Sequence, residues 1–169
     1  MTKTIPLFLI LASAGLAQSV PVTMSEFRQS WKNTKSYTLA VAEAMPAESY
    51  GFKPTPDEMS FAEQMIHIAH ANYAWFSGVL GEKRSIADPK NGDKATVIAY
   101  LRDTFDYCIA ALDRIAPAQL NQTLRGVGDR ESGSGRDALL NMYMHVAHHR
   151  GQTIVYLRLK GIAPPAYRY

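Results

Sequence analysis

Ser60 to Gly81 reads SFAEQMIHIAHANYAWFSGVLG, and this stretch decides the fold class. Ser60 and Glu63 stand at capping-box spacing, so a hydroxyl and a carboxylate satisfy amides that the first helical turn leaves unpaired. Phe61, Ile68, Trp75 and Val79 then share one face of a 3.6-residue period, and Gly81 supplies the stop. The segment is an amphipathic helix from Ser60 to about Leu80.

Working outward, three more helices emerge and little reads as strand. The first runs from about Met24 to Met45, with Phe27, Trp31, Thr34, Thr38, Val41 and Met45 at helical spacing and Pro46 closing it. Tyr50 to Asp57, holding Pro54 and Pro56, is a connector. After the polar Glu82–Gly92 stretch, a third helix spans about Lys94 to Ile115 and ends before Pro117. Its stripe is Leu101, Phe105, Cys108, Leu112 and Ile115, which makes Cys108 a small buried hydrophobe rather than a reactive thiol. Arg125 to Gly135 is a loop rich in glycine and charge. The fourth helix begins near Arg136, with Ser134 and Asp137 at capping spacing, and ends at Gly161 ahead of Pro164 and Pro165. Four such helices enclose one all-α four-helix bundle.

The 169 residues suit one domain, 47% hydrophobic and 20% charged. The net charge of +3 comes from 18 basic and 15 acidic residues that are interspersed along the chain. Phosphate tracking needs clustered positive charge, so nucleic acid is not an expected partner. Residues 1–17 read as a signal peptide: Lys3 gives a positive start, Ile5 to Leu16 is apolar, and Gly15 and Ala17 precede a cleavage site before Gln18. That run is too short to span a bilayer, and no cysteine follows it for a lipid. The expectation is therefore a secreted or periplasmic domain over residues 18–169, without a stable membrane anchor. Cys108 is the single cysteine, so no internal disulfide forms.

All five histidines fall in two windows, His67 and His70 on the second helix and His145, His148 and His149 on the fourth. Neutral imidazole suits zinc, nickel, iron or copper. His145 and His149 differ by only about 40° around the helix, one turn apart, and can converge on one ion. His148 is about 60° from His145 and offers the alternative pair. On the second helix, His67 borders the apolar face beside Ala71, Ala74 and Gly78, whose small side chains would leave space next to the imidazole. His70 lies about 60° further out and should be solvated. The expected ligands are His67, His145 and His149.

These motifs resemble the DinB/YfiT-like family over about Met24 to Gly161. The resemblance rests on Phe52-Lys53-Pro54 leading to Ser60 and His67, on His145-Val-Ala-His-His-Arg-Gly-Gln152, and on Leu157-Arg158 to Gly161. It implies an up-down-down-up bundle, often dimeric, with a metal on one histidine of the second helix and an HxxxH pair of the fourth. Carried over, those are again His67, His145 and His149. Arg150, Gly151 and Gln152 match recurrent family residues. Gly151 would permit close helix contact, and Gln152, with His148, would support the ligands from outside the triad.

Three protein nitrogens leave a coordination position open, as in catalytic rather than structural zinc sites. The expectation is a divalent ion, zinc or nickel first and manganese or iron next, serving a hydrolase or transferase of a small-molecule substrate. Some relatives are thiol-dependent transferases, but an exported chain meets few such thiols. No carboxylate is placed as a general base, because Glu63 belongs to the capping box. The competing expectation is a non-catalytic metal-binding protein that forms a homodimer, with Tyr73, Trp75 and Phe76 as a candidate aromatic surface.

Overall fold

The long helices start on side-chain caps that the sequence spells out. In a computed structural model, which describes residues 23–82, 86–124 and 133–167, Thr23 caps α1 (Met24–Ala44) and forms a capping box with Glu26. Ser60 does the same for α2 (Phe61–Leu80) with Glu63, and Gly81 ends that helix at φ 70°. Asp93 accepts from the Thr96 amide at the head of α3 (Lys94–Leu112). A short α4 (Pro117–Asn121) follows, and then α5 (Gly135–Leu159), capped by Ser134 and Asp137, is the fourth helix expected from the sequence. Each such cap contributes roughly 1 kcal/mol. The signal-peptide expectation for residues 1–17 and most of the Arg125–Gly135 loop lie outside the described residues.

Two local features depart from the sequence-based expectation. The third helix ends at Leu112, not Ile115. Pro117 forces Ala116 into an extended conformation (φ −76°, ψ 153°), and the chain unwinds over the residues before it. Proline at the first helical position then starts α4, and the Gln119 side chain accepts from the Ala116 amide at 2.7 Å. Beyond α4, β1 (Thr123–Leu124) pairs antiparallel with β2 (Gly133–Ser134), Thr123 opposite Ser134.

Residue pairs fix the helix directions. Arg28 of α1 binds Asp113 at 2.7 Å, and Lys94 reaches the Glu43 carbonyl at 2.7 Å, so α1 and α3 are antiparallel. Glu82, just past α2, accepts from Tyr107 at 2.7 Å and pairs with Arg114, so α2 and α3 run the same way. Gln64 meets His149 and Tyr156, placing the start of α2 beside the end of α5. Phe27 packs on Tyr143 and Thr38 accepts from Arg150, so α1 and α5 are parallel. The bundle is all-α and up-down-down-up, with α1, α3, α2 and α5 in order around the core.

Trp31 is fully buried at the centre, 5.1 Å from Phe76 and 5.6 Å from Phe105 by ring centroid. Leu101, Phe105, Cys108 and Leu112 line the α3 side as the stripe requires, with Ile115 partly buried beyond it. The aromatic surface expected around Tyr73, Trp75 and Phe76 does not exist. Phe76 is in the core, Tyr73 packs on Tyr107 at 4.6 Å, and Trp75 is only partly exposed. The α2 face is wider than its apolar stripe suggests because α2 contacts both α3 and α5. Among the described residues no helix is long and apolar enough to cross a membrane.

Candidate metal centre

The seam between α2 and α5 carries the histidines. His67 sits on α2 about one turn beyond the capping box, where the helix turns from the core toward α5. His145 and His149 face it from α5, one turn apart. Nitrogen atoms of all three lie within 4.8 Å of one another, and each side chain is half-buried. The Nε2 atoms of His67 and His145 are 3.0 Å apart. Two ligands of a tetrahedral ion at 2.0–2.1 Å stand about 3.3 Å from each other, so the spacing fits a shared ion. The three side chains could hold a metal ion, and the i, i+4 pair on α5 is the one brought to His67.

The donor chemistry fits as well. Burial, then the neighbouring His145 and His67, lowers the His149 pKa from its ordinary 6.5 to about 4. It is therefore neutral at physiological pH, the form that coordinates. Its Nδ1 is 2.7 Å from Gln64 Oε1, an acceptor, so Nδ1 carries the proton and Nε2 is left for a ligand role. Gln64 is 2% exposed, and its Nε2 donates to the Tyr156 hydroxyl at 3.5 Å. That hydroxyl donates in turn to the Met59 carbonyl at 2.9 Å. A buried amide must pair both its ends, and this chain fixes which end faces His149.

Gln64 is the residue that sequence reasoning missed. The signal was a glutamine among Phe61, Met65 and Ile68 on a buried face, three residues before His67. His148 and Gln152 lie beside the triad rather than in it. His148 is exposed, edge-on to His149 at 4.9 Å, and its Nε2 is 3.1 Å from Gln152 Nε2. Gln152 thus holds His148. His70 is exposed, 2.7 Å from Asp88, as its position outside the apolar face requires.

The residues around the triad divide by burial. Gly151 does not mediate a helix contact within the chain: it is exposed, and a Cβ there would meet nothing within 4 Å. Its neighbour Arg150 is buried, donating to Thr38 at 3.2 Å and lying 4.8 Å over the Tyr37 ring, so it ties α5 to α1. Glu63 keeps to the cap, its amide and carboxylate both engaged with Ser60, and is no base for the site. The small strip beside His67 is divided, with Ala71 buried, Gly78 half-buried and Ala74 exposed.

An up-down-down-up bundle with a histidine triad across one helix pair defines the class, and comparison with known proteins gives the family. The DinB superfamily model matches residues 30–153, and the chain belongs to that superfamily. An uncharacterized protein, YjoA of Bacillus subtilis strain 168, is 29% identical over 134 residues, covering 75% of this chain and 84% of YjoA. The crystal structure of YjoA, a DinB-like protein, superposes with TM-score 0.69 at 21% identity, over 85% of this chain and 97% of that one. A DinB-like protein from Bacillus cereus ATCC 10987 gives TM-score 0.71 at 23% identity, over 86% and 97%. At those identities the two structures speak for the fold.

Proposed function

We propose that this is an exported, metal-dependent DinB-superfamily protein that hydrolyses a small molecule or transfers a group to one. The observation that carries the reading is the convergence of three imidazoles, within 4.8 Å, on a half-exposed seam. Three protein ligands leave room for a substrate atom. A zinc or nickel ion there, or manganese or iron in their place, would polarise that atom or lower the pKa of a water toward about 7. The protein's own part is to hold the ion: His67 and His145 from opposite helices, and His149 kept neutral by burial and oriented by Gln64. Export is supported by the apolar Ile5–Leu16 run between Lys3 and the small residues Gly15 and Ala17.

A second reading, a non-catalytic dimer, is favoured by the outer face of α5. Leu140, Met144 and Val155 are 55%, 52% and 50% exposed and share a stripe with Ala147 and Gly151. Bulky apolar ends around a small centre would let α5 of a second copy approach closely.

The two readings separate by turnover. Zinc-loaded protein is assayed on p-nitrophenyl acetate, p-nitrophenyl phosphate, and glutathione with 1-chloro-2,4-dinitrobenzene, beside His149→Ala. Turnover lost in the variant supports the enzyme. Wild-type rates no higher than zinc in buffer, from a protein that sediments as a dimer, leave the second reading. Export is tested separately by the mature amino terminus, expected near Gln18 in protein recovered from the native cell envelope; retention of Met1 defeats it.

A further inference from the structure

A cavity of about 400 Å³ opens between the amino-terminal ends of α1 and α5, with α4 as its floor. It contains none of the three histidines, and a ligand bound there would be independent of the metal centre. Its walls are apolar: Phe27 from α1, Leu120 from α4, and Leu139 and Tyr143 from α5, with Met24 and Leu140 also lining it. Ser30, Arg136 and the Tyr143 hydroxyl are the polar side-chain groups among the lining residues. The volume falls within the range of small-molecule sites, roughly 300–1,000 Å³.

The aromatic wall is backed by the core. Phe27 and Tyr143 lie 6.1 Å apart by ring centroid, and both pack on the buried Trp31, at 6.1 and 6.2 Å. At the floor, Gly135 lies so near α4 that a Cβ on it would come 2.2 Å from the Gln119 carbonyl oxygen. That contact fixes the spacing of the α4 and α5 backbones beside the cavity. An apolar chain entering it removes hydrocarbon surface from water, which is favourable in proportion to the area covered.

Arg136 supplies the single charge. Its Nε donates to Asn121 at 3.4 Å, and among the described residues no carboxylate pairs with it. Arg28 and Arg114, by contrast, are matched by Asp113 and Glu82. The adjacent Asp137 is committed to the Ser134 amide and hydroxyl, at 2.9 and 2.8 Å. A guanidinium fork donates two parallel hydrogen bonds to a carboxylate, and Arg136 also stands in the first turn of α5, where the helix dipole favours an anion.

We propose that this cavity binds a small anionic amphiphile, its apolar chain lying against the wall formed by Phe27, Leu139 and Tyr143 and its carboxylate on Arg136. A monoanion with one aliphatic tail satisfies both features; a cationic head group would face Arg136 unfavourably.

Isothermal titration of the full-length chain with decanoate tests this. One decanoate should bind per chain. Arg136→Gln should weaken binding about tenfold, the scale of a charge-assisted hydrogen bond pair, and Leu140→Trp, which plugs the mouth from an exposed position, should abolish it. Both variants should keep the wild-type helicity and metal stoichiometry. Decyltrimethylammonium should bind more weakly than decanoate. Absence of decanoate binding by the wild-type chain overturns the proposal. So does equal binding by the wild type and both variants, or binding of the cationic amphiphile as tight as that of decanoate.

Discussion

Gln64 Oε1 and His149 Nδ1 meet at 2.7 Å across the α2–α5 seam, and this contact sets which nitrogen of His149 faces the other two histidines. The amide is itself held by Tyr156, whose hydroxyl is anchored on the Met59 carbonyl. A residue three positions from one histidine thus governs another 85 positions away.

Removing that acceptor should cost metal affinity without unfolding the bundle. Gln64→Ala is expected to weaken zinc binding roughly 10- to 100-fold, as loss of a group that orients a ligand does. Gln64→Glu keeps an acceptor for Nδ1–H and should restore most of it. Chelator competition measures both. Equal affinity in Gln64→Ala and wild type would show that His149 is oriented by something else.

The metal-free protein should lose stability on mild acidification. The His149 pKa is lowered from 6.5 to about 4 in the folded chain, chiefly by burial. Between those values the unfolded chain holds a proton that the folded chain does not, so stability falls as pH drops through the window. The side chain is half-exposed, and solvent screening moderates the effect. Urea midpoints at pH 7.5, 6.0 and 5.0 should decline, and His149→Ala should flatten the decline. A wild-type midpoint that is level or rises toward pH 5 contradicts this.

Gly135→Ala should destabilise the protein even though alanine is the better helix former by about 1 kcal/mol. The new methyl would lie 2.2 Å from the Gln119 carbonyl oxygen and 3.0 Å from Leu120 Cα, both backbone atoms that move only with α4. Overpacking of this kind costs roughly 1–3 kcal/mol. Thermal melting should show a midpoint several degrees lower. An unchanged or higher midpoint would mean that α4 shifts freely.

Cys108 should be inert in the native state. It is fully buried, and burial pushes its thiol well above the usual range. Its sulfur lies 3.5 Å from the Asn72 carbonyl inside the core. Labelling by a thiol-disulfide reagent should proceed at the rate of unfolding and accelerate in denaturant. Rapid labelling in buffer would place this part of α3 outside the core.

Much of this was legible because the relevant signals are local. Ser60 with Glu63, Ser134 with Asp137, and Gly81 mark helix ends by their own chemistry, and the α3 stripe through Cys108 reports burial by periodicity. The triad was legible because an i, i+4 pair is nearly aligned and His67 borders the apolar face. The failures came from contacts between elements. Tyr73 and Phe76 are buried because α2 is flanked on two sides, which a single-helix projection does not contain. Gly151 faces solvent although glycine on a helix suggested close packing. The short α4 and the β1–β2 ladder are too brief to show a period, and Gln64 gains meaning only when α5 is beside it.

Metal stoichiometry and affinity of untagged protein across five single-alanine variants test the central claim most directly. The wild type should bind one divalent ion per chain. His67→Ala, His145→Ala and His149→Ala should each lose it or bind far more weakly. His70→Ala, whose parent side chain is exposed beside Asp88, should bind as wild type, and His148→Ala should lose little. Wild-type protein that binds no ion between pH 6 and 8, or loss of the ion in His70→Ala or His148→Ala while His67→Ala and His149→Ala retain it, would contradict the account.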